Sequence, residues 1–267
     1  MVCFAAKADL RQGFTVTSSR KIALIAGVLF LITFVVSIAA IIFYAPVLHP
    51  AKYILGNGAD TRVRLGAVCE LILIIANIGS AVVLFPILRR QNEVLALGYV
   101  TARVAESTFI AVGIVCLLAV VSLGHAAVGA DSGSLVTSAK SLVAVRNWTF
   151  VLGPGFIVGV GNGLILGYLM YQSRLVPRGM AMLGLIGGPL ICLSGIAVVM
   201  GIIGRGSAAQ SIATVPEFLW ELSLGIYLTV KGFRPSAITP DNPPGIAVDE
   251  SPESAMVGRR EPAVGVT

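Results

Sequence analysis

The sequence predicts an all-α fold: an integral membrane bundle of six transmembrane helices, with both termini cytoplasmic and a disordered C-terminal tail. Three observations predict it. Hydrophobic residues make up 56% of the 267 and charged residues only 12%, against roughly a quarter charged in ordinary soluble domains, and mean hydropathy is +0.91. Six apolar stretches each reach the roughly 20 residues that a spanning helix needs at 1.5 Å of rise per residue. Basic residues are distributed unequally between the two sets of helix ends, the signature of membrane topology.

The stretches cover 22–44, 63–88, 95–123, 148–171, 180–203 and 213–231. Turn chemistry separates them: Gly56 to Gly58, Arg89 to Asn92, Gly129 to Gly133, Ser173 to Arg178 and Gly204 to Ser207. Arg20 and Lys21 precede the first stretch as they would precede a signal peptide, but the run continues to Tyr44, long enough for a retained signal anchor. One side of the predicted bundle carries Lys7, Arg11, Arg20, Lys21, Arg89, Arg90, Arg174, Arg178, Lys231 and Arg234; the other carries Lys52, Arg62, Arg64, Lys140, Arg146 and Arg205. Ten against six places the N-terminus, the even-numbered loops and the C-terminus in the cytoplasm. The organisation is therefore a cytoplasmic N-terminal segment over 1–20, a transmembrane domain over 21–234 and a tail over 235–267. That tail is rich in proline, carries Asp249, Glu250 and Glu253, and has no apolar periodicity from which to build a core.

The net charge of +6 is scattered over helix ends and not clustered, which argues against nucleic acid as a partner. Cys3, Cys69, Cys116 and Cys192 stand alone and form neither a disulfide framework nor a zinc pattern. His49 and His125 fall near outer helix ends without metal-ligand spacing, and the closely spaced Gly159 and Gly161 follow no strand. No metal, nucleotide or other cofactor is predicted.

Ionisable groups inside the spans are the most informative residues, because each costs about 3 kcal/mol at the bilayer centre on insertion scales. They are Glu70, Arg103, Glu106, Glu217 and Glu221. Arg62, Gly66, Glu70 and Asn77 share one stripe of the second span, Arg103 and Glu106 one face of the third, and Glu217 and Glu221 one face of the sixth. By depth, Glu70, Glu217 and Glu221 are expected toward the outer leaflet with Arg103 and Glu106 deeper, so the group is expected to converge on a polar cluster open to the outside, with Arg62 and Arg64 at its rim. Such a cluster reads either as a site for a proton, a cation or a basic ligand, or as an ion-pair network that only fixes packing.

The fourth span carries Gly155, Gly159, Gly163 and Gly167 at every fourth position, a bare groove for a neighbouring helix or for a second copy of the chain, with Asn162 beside it. Gly153, Pro154 and Gly155, and Gly187, Gly188 and Pro189, are candidate breaks or kinks. Trp148, Trp220, Tyr44 and Tyr53 read as interfacial aromatics, with packing of Trp220 on the polar cluster as the alternative.

Several strings add a resemblance. The stretch from Arg20 to Pro46, LGAVCELILIIANIGSAVVLFPILRR ending at Arg90, ALGYVTARVAES from Ala96, WTFVLGPGF from Trp148, SRLVPRGMAMLGLIGGP from Ser173 and PEFLWELSLGIYLTVKGF from Pro216 together resemble the bacterial multi-pass membrane family called domain of unknown function 4386, over about residues 20–234. Its motif elements fall on Glu70, Arg103, Glu106, Pro154, Arg174, Pro177, Glu217 and Glu221. The resemblance implies the six-helix fold and a bacterial inner-membrane location, and no substrate, cofactor or catalytic residue. Three function classes follow: a transporter-like or sensor-like protein with a proton, small-molecule or ion ligand at the charged cluster; a structural or regulatory membrane protein; and an intramembrane enzyme, disfavoured by the shortage of histidine and the absence of a Ser or Cys constellation. The lipid bilayer is the one partner common to all three.

Overall fold

Residues 2–56, 59–126 and 132–236 are described in a computed structural model of the chain, with side chains from Ser19 onward apart from those of Ala126 and Ser132. The predicted tail from residue 237 on, and the turn residues 57–58 and 127–131, lie outside the described residues. Among the described residues every regular element is helical: α1 Val2–Tyr44, α2 Pro50–Leu55, α3 Asp60–Leu88, α4 Glu93–Ala126, α5 Ser132–Leu152, the π-helical stretches Gly153–Ile157 and Gly159–Leu166, α6 Gly167–Ser173, α7 Arg178–Val199 and α8 Ala208–Val230. Five segments are long and apolar enough to cross a membrane: Ser19–Tyr44, Asp60–Leu88, Glu93–His125, Gly133–Ser173 and Arg178–Val199. The sixth long helix, α8, is not among them; its 23 residues include Gln210, Glu217 and Glu221.

Of the boundaries that differ from those expected, three bear on the site, whereas the fifth span simply ends at Val199 and not 203. The N-terminal segment is continuous with the first span in α1. The fourth segment starts at 132 and not 148, because the residues before Trp148 pack between α4 and the short α2: Ala139 and Val143 are buried with Tyr53, Ile54 and Leu117. The last helix starts at Ala208 and not 213, where the Ser207 hydroxyl caps it by accepting from the Gln210 amide at 3.3 Å. Both extensions are polar enough to interrupt an apolar run without interrupting a helix.

The helices alternate in direction about a shared core. One end, here the near end, holds Ser19, the α3–α4 turn, the α6–α7 turn and the end of α8. Arg20 clamps it by donating to the Leu228, Thr229 and Val230 carbonyls at 2.9–3.1 Å, the unpaired carbonyls and negative dipole end of α8. Phe30, Leu84, Leu88, Tyr99, Leu169 and Leu224 bury there against one another. The far end holds Tyr44, α2, the start of α3 and the α7–α8 loop.

The stretch Gly153 to Leu166 is helical throughout but wound with i→i+5 bonds. Pro154, which has no N–H to give, and the glycine content explain the expected break as a change of winding. The winding has a packing consequence. In an α-helix of 3.6 residues per turn, glycines four apart drift by about 40° each, so Gly167 would sit about 120° around the axis from Gly155; the wider π turn offsets that drift. Gly159, Gly163 and Gly167 therefore face α7, and Gly155 meets it through its carbonyl. A Cβ on Gly159 would lie 2.7 Å from the Gly188 carbonyl oxygen, one on Gly163 2.3 Å from the Gly188 Cα, one on Gly167 3.3 Å from the Leu185 amide nitrogen, and one on Gly195 of α7 3.3 Å from the Gly155 carbonyl. The groove is filled by the chain's own seventh helix, so this face is not free for a second copy.

Backbone cannot yield at the Gly163 crossing as a side chain would. Gly163→Ala is expected to destabilise the detergent-solubilised protein by about 2 kcal/mol, in the range of overpacking, whereas Gly179→Ala, with nothing within 4 Å of the added carbon, should leave thermal unfolding unchanged. Equal melting temperatures for the two variants would mean that the α7 crossing is not this close.

Candidate functional site

The charged side chains inside the bundle form two ion-paired groups and leave one carboxylate as an open position, while the buried Arg103 Nε, Arg146 Nε and Asn162 Oδ1 also lack a partner among the described residues. In the first group Arg103 on α4 donates through Nη1 to Glu106 Oε2 at 2.8 Å and through Nη2 to Asn77 Oδ1 on α3 at 2.6 Å, and Asn77 Nδ2 returns a bond to Glu106 Oε1 at 3.2 Å. The guanidinium also lies 5.9 Å from the Phe30 ring centroid, a cation–π contact to α1. Glu221 on α8 approaches Arg103 Nη1 at 3.8 Å and accepts from Asn162 Nδ2, while Trp220 Nε1 donates to the Asn162 carbonyl at 3.0 Å. Arg103, Asn77 and Asn162 are buried.

The second group lies toward the far end. Glu70 on α3 accepts from Arg146 Nη2 on α5 at 2.8 Å and from the Tyr44 hydroxyl on α1 at 3.0 Å. Arg146 is further held over Tyr44 and Phe150, 5.6 and 5.1 Å from the ring centroids. Gly113 on α4 makes the room: a Cβ there would stand 2.7 Å from Arg146 Cδ.

Glu217 is the open position. It is 2% exposed, yet neither carboxylate oxygen has a hydrogen-bond partner among the described residues. Its Oε2 lies over bare backbone, since a Cβ on Gly163 or on Gly187 would be 2.7 or 2.9 Å from it. Glu217 lines a cavity of about 180 Å³ to which all six long helical segments contribute, and Glu70, Glu106 and Glu221 reach the same cavity. Three prolines surround this level, Pro154, Pro189 and Pro216, each removing one backbone donor from its helix.

The arrangement changes several expectations. The five charged side chains do line one cavity, except that Arg62 is exposed and donates to the Ile42 carbonyl at 3.1 Å, and Arg64 is exposed beside His125. Neither offsets charge inside the cavity. Glu221 is level with Arg103 and Glu217 with Glu106: counted from the near end at 1.5 Å per residue, Arg103, Asn77, Asn162 and Glu221 lie about 14–17 Å along their helices, and Glu106 and Glu217 about 20 Å. The reason is the earlier start of α8, which moves both glutamates to mid-helix. Trp220 is fully buried on the polar group and not at an interface. His125 meets Asp60 of α3 at 2.8 Å, and Asp60 also accepts from the Tyr53 hydroxyl; burial, and then this bond, push the Tyr53 phenol up from its ordinary range. Among the described residues no three His, Cys, Asp or Glu come together as metal ligands.

Arg146 is the functional residue that sequence reasoning missed. Two residues from Trp148 in a mixed stretch, it counts as a loop cation; a helical stripe of Lys140, Val143, Arg146 and Phe150 is the signal that would have drawn it inward. With it, Glu70, Glu106, Glu217 and Glu221 face Arg103 and Arg146, two carboxyl groups more than there are cations.

Residues 25–232 match the model of a family described as Domain of unknown function (DUF4386). No curated protein and no solved structure matches the chain.

Removing one member of a buried ion pair strands the other, at a cost of about 3–5 kcal/mol, whereas replacing both by apolar groups is often close to neutral. Arg146→Ala is expected to destabilise the protein by about 3 kcal/mol, and the double variant Arg146→Met with Glu70→Leu to recover most of that loss. Additive losses in a double-mutant thermal-unfolding cycle would show that the two side chains do not interact.

Proposed function

On the premise that the chain belongs to the DUF4386 family, whose description carries no activity, we propose that it is a multi-pass membrane protein that binds a positively charged species, a proton or a small cation, in the cavity beside Glu217, and moves it or responds to it. One observation carries the reading: a carboxyl group buried to 2% exposure without a partner among the described residues, in the wall of a cavity with an excess of acidic groups. An unpaired buried charge costs several kcal/mol, so this position is stable only when neutralised, by a proton or by a cation. Paired carboxylates such as Glu70 and Glu106 carry no such demand.

The proposed topology takes α8 as the sixth span. Its 23 residues extend about 35 Å at 1.5 Å each, enough for a hydrocarbon core of about 30 Å, and its two glutamates face the interior. Removing the buried Arg146 from the tally of loop cations leaves ten against five, which favours cytoplasmic termini more strongly than the sequence count. The family resemblance supports a bacterial inner membrane.

A second reading, a structural or regulatory protein, is favoured by the two closed groups, which tie α1, α3, α4 and α5 together as packing locks do. It accounts for Glu70, Arg103, Glu106 and Arg146 and leaves Glu217 without a role. An intramembrane enzyme is less well supported: the Thr33, Ser37 and Thr214 hydroxyls of the cavity donate to carbonyls of their own helices and not to a base.

In vesicles containing the purified full-length protein, wild type is expected to dissipate an imposed proton or methylammonium gradient faster than Glu217→Gln by about tenfold or more, a difference of ~1.4 kcal/mol or above, while the variant keeps its melting temperature. Identical fluxes, or a loss explained by unfolding of the variant, would leave the packing reading in possession of the site.

A further inference from the structure

We infer that the occupant of this cavity is a primary alkylammonium ion, its headgroup at Glu217 and its apolar chain directed toward the α7–α8 loop through a second, adjoining cavity. The inference rests on the cation-binding reading and names the chemical class of the ligand.

The polar lining is the first ground. Thr33 Oγ donates to the Phe30 carbonyl at 2.7 Å, Ser37 to the Phe34 carbonyl at 3.0 Å and Thr214 to the Gln210 carbonyl at 2.9 Å. Each hydroxyl has committed its proton to its own helix and retains only acceptor capacity. Arg103 gives Nη1 to Glu106 and Nη2 to Asn77, and Asn77 Nδ2 goes to Glu106, which leaves the buried Arg103 Nε as a donor without a partner among the described residues. Around Glu217, which has no partner among the described residues, the hydroxyls thus offer acceptors to a ligand that brings donors and positive charge. An ammonium has three N–H donors and no acceptor.

The apolar lining is the second ground. Phe34, Leu73, Ile110, Val158 and Ile191 form much of the wall. A bare metal ion gains nothing from such a surface and lacks the ring of oxygens it requires, and a proton needs no volume at all. A cavity of about 180 Å³ has room for roughly six waters at their liquid volume, which suits a headgroup with a short hydrocarbon chain.

Direction comes from a second cavity of about 540 Å³ between α5, α7, α8 and the α7–α8 loop. Phe150, Pro154, Ile191 and Thr214 line both cavities and form the partition between them. Glu217, Thr214 and Gln210 descend one face of α8 at offsets of three and four, so a chain leaving the Glu217 headgroup along α8 meets Thr214 and then the larger space. Arg205 at its mouth is exposed, and the cavity reaches the surface there.

Binding of the n-alkylammonium series from methylammonium to hexylammonium to the full-length protein, followed by calorimetry and by Trp220 fluorescence, tests this. Affinity is expected to rise about three- to fourfold per methylene, Glu217→Gln to weaken binding at least tenfold, and the matching n-alcohols to bind without dependence on residue 217. Ser211→Phe, at a position that lines only the second cavity, should keep methylammonium binding and abolish the gain from longer chains, a result independent of whether the glutamine variant folds. No alkylammonium binding, or affinity that does not grow with chain length, overturns the inference; if proton flux still depends on Glu217 in that case, the cation-binding reading survives it. If neither flux nor binding depends on Glu217, both fall.

Discussion

A charge inside a membrane has to be neutralised where it sits, and the interior of this bundle is arranged around that constraint. Hydrocarbon supplies no counter-ion and no hydrogen bond, so each ionisable side chain on a span must find its partner on another helix or on its own. Arg103 finds Glu106 and Asn77, and Arg146 finds Glu70 with Tyr44. These bonds join helices that lipid-facing apolar surface alone has no reason to hold in one register. Glu217 is where the pairing stops, and the cavity is beside it.

Helix packing explains how that exception is accommodated. The π-wound stretch keeps Gly159, Gly163 and Gly167 on α7, and the close crossing at Gly163 and Gly188 brings three backbones together at the level of Glu217. Glycine at 163 and 187 leaves room for the carboxylate but offers it no side-chain donor. Prolines 154, 189 and 216 remove backbone donors nearby. The same residues that allow tight packing therefore leave the carboxylate unpaired.

Much of this was legible in the sequence, for identifiable reasons. Apolar runs set by bilayer thickness marked the spans, and charges costly in lipid marked Glu70, Arg103, Glu106, Glu217 and Glu221 as inward-facing. What was not legible depends on tertiary neighbours. Arg146 sits in a stretch polar enough to pass for a loop, and only packing against α2 and α4 makes it helical and buried. The depth of Glu217 and Glu221 followed from a helix start that the Ser207 cap, and not hydropathy, decides. Sequence treats the four glutamates alike, and the difference between a paired and an unpaired one exists only once α3, α5, α7 and α8 are assembled.

Carbodiimide reactivity probes that difference directly, because dicyclohexylcarbodiimide modifies protonated carboxyl groups in apolar surroundings and not carboxylates held in ion pairs. Treatment of the full-length protein in membranes, followed by mass spectrometry of its peptides, should show modification at Glu217 with Glu70 and Glu106 spared. Modification of Glu70 or Glu106 with Glu217 untouched would contradict the assignment of Glu217 as the one unpaired buried acid among the described residues.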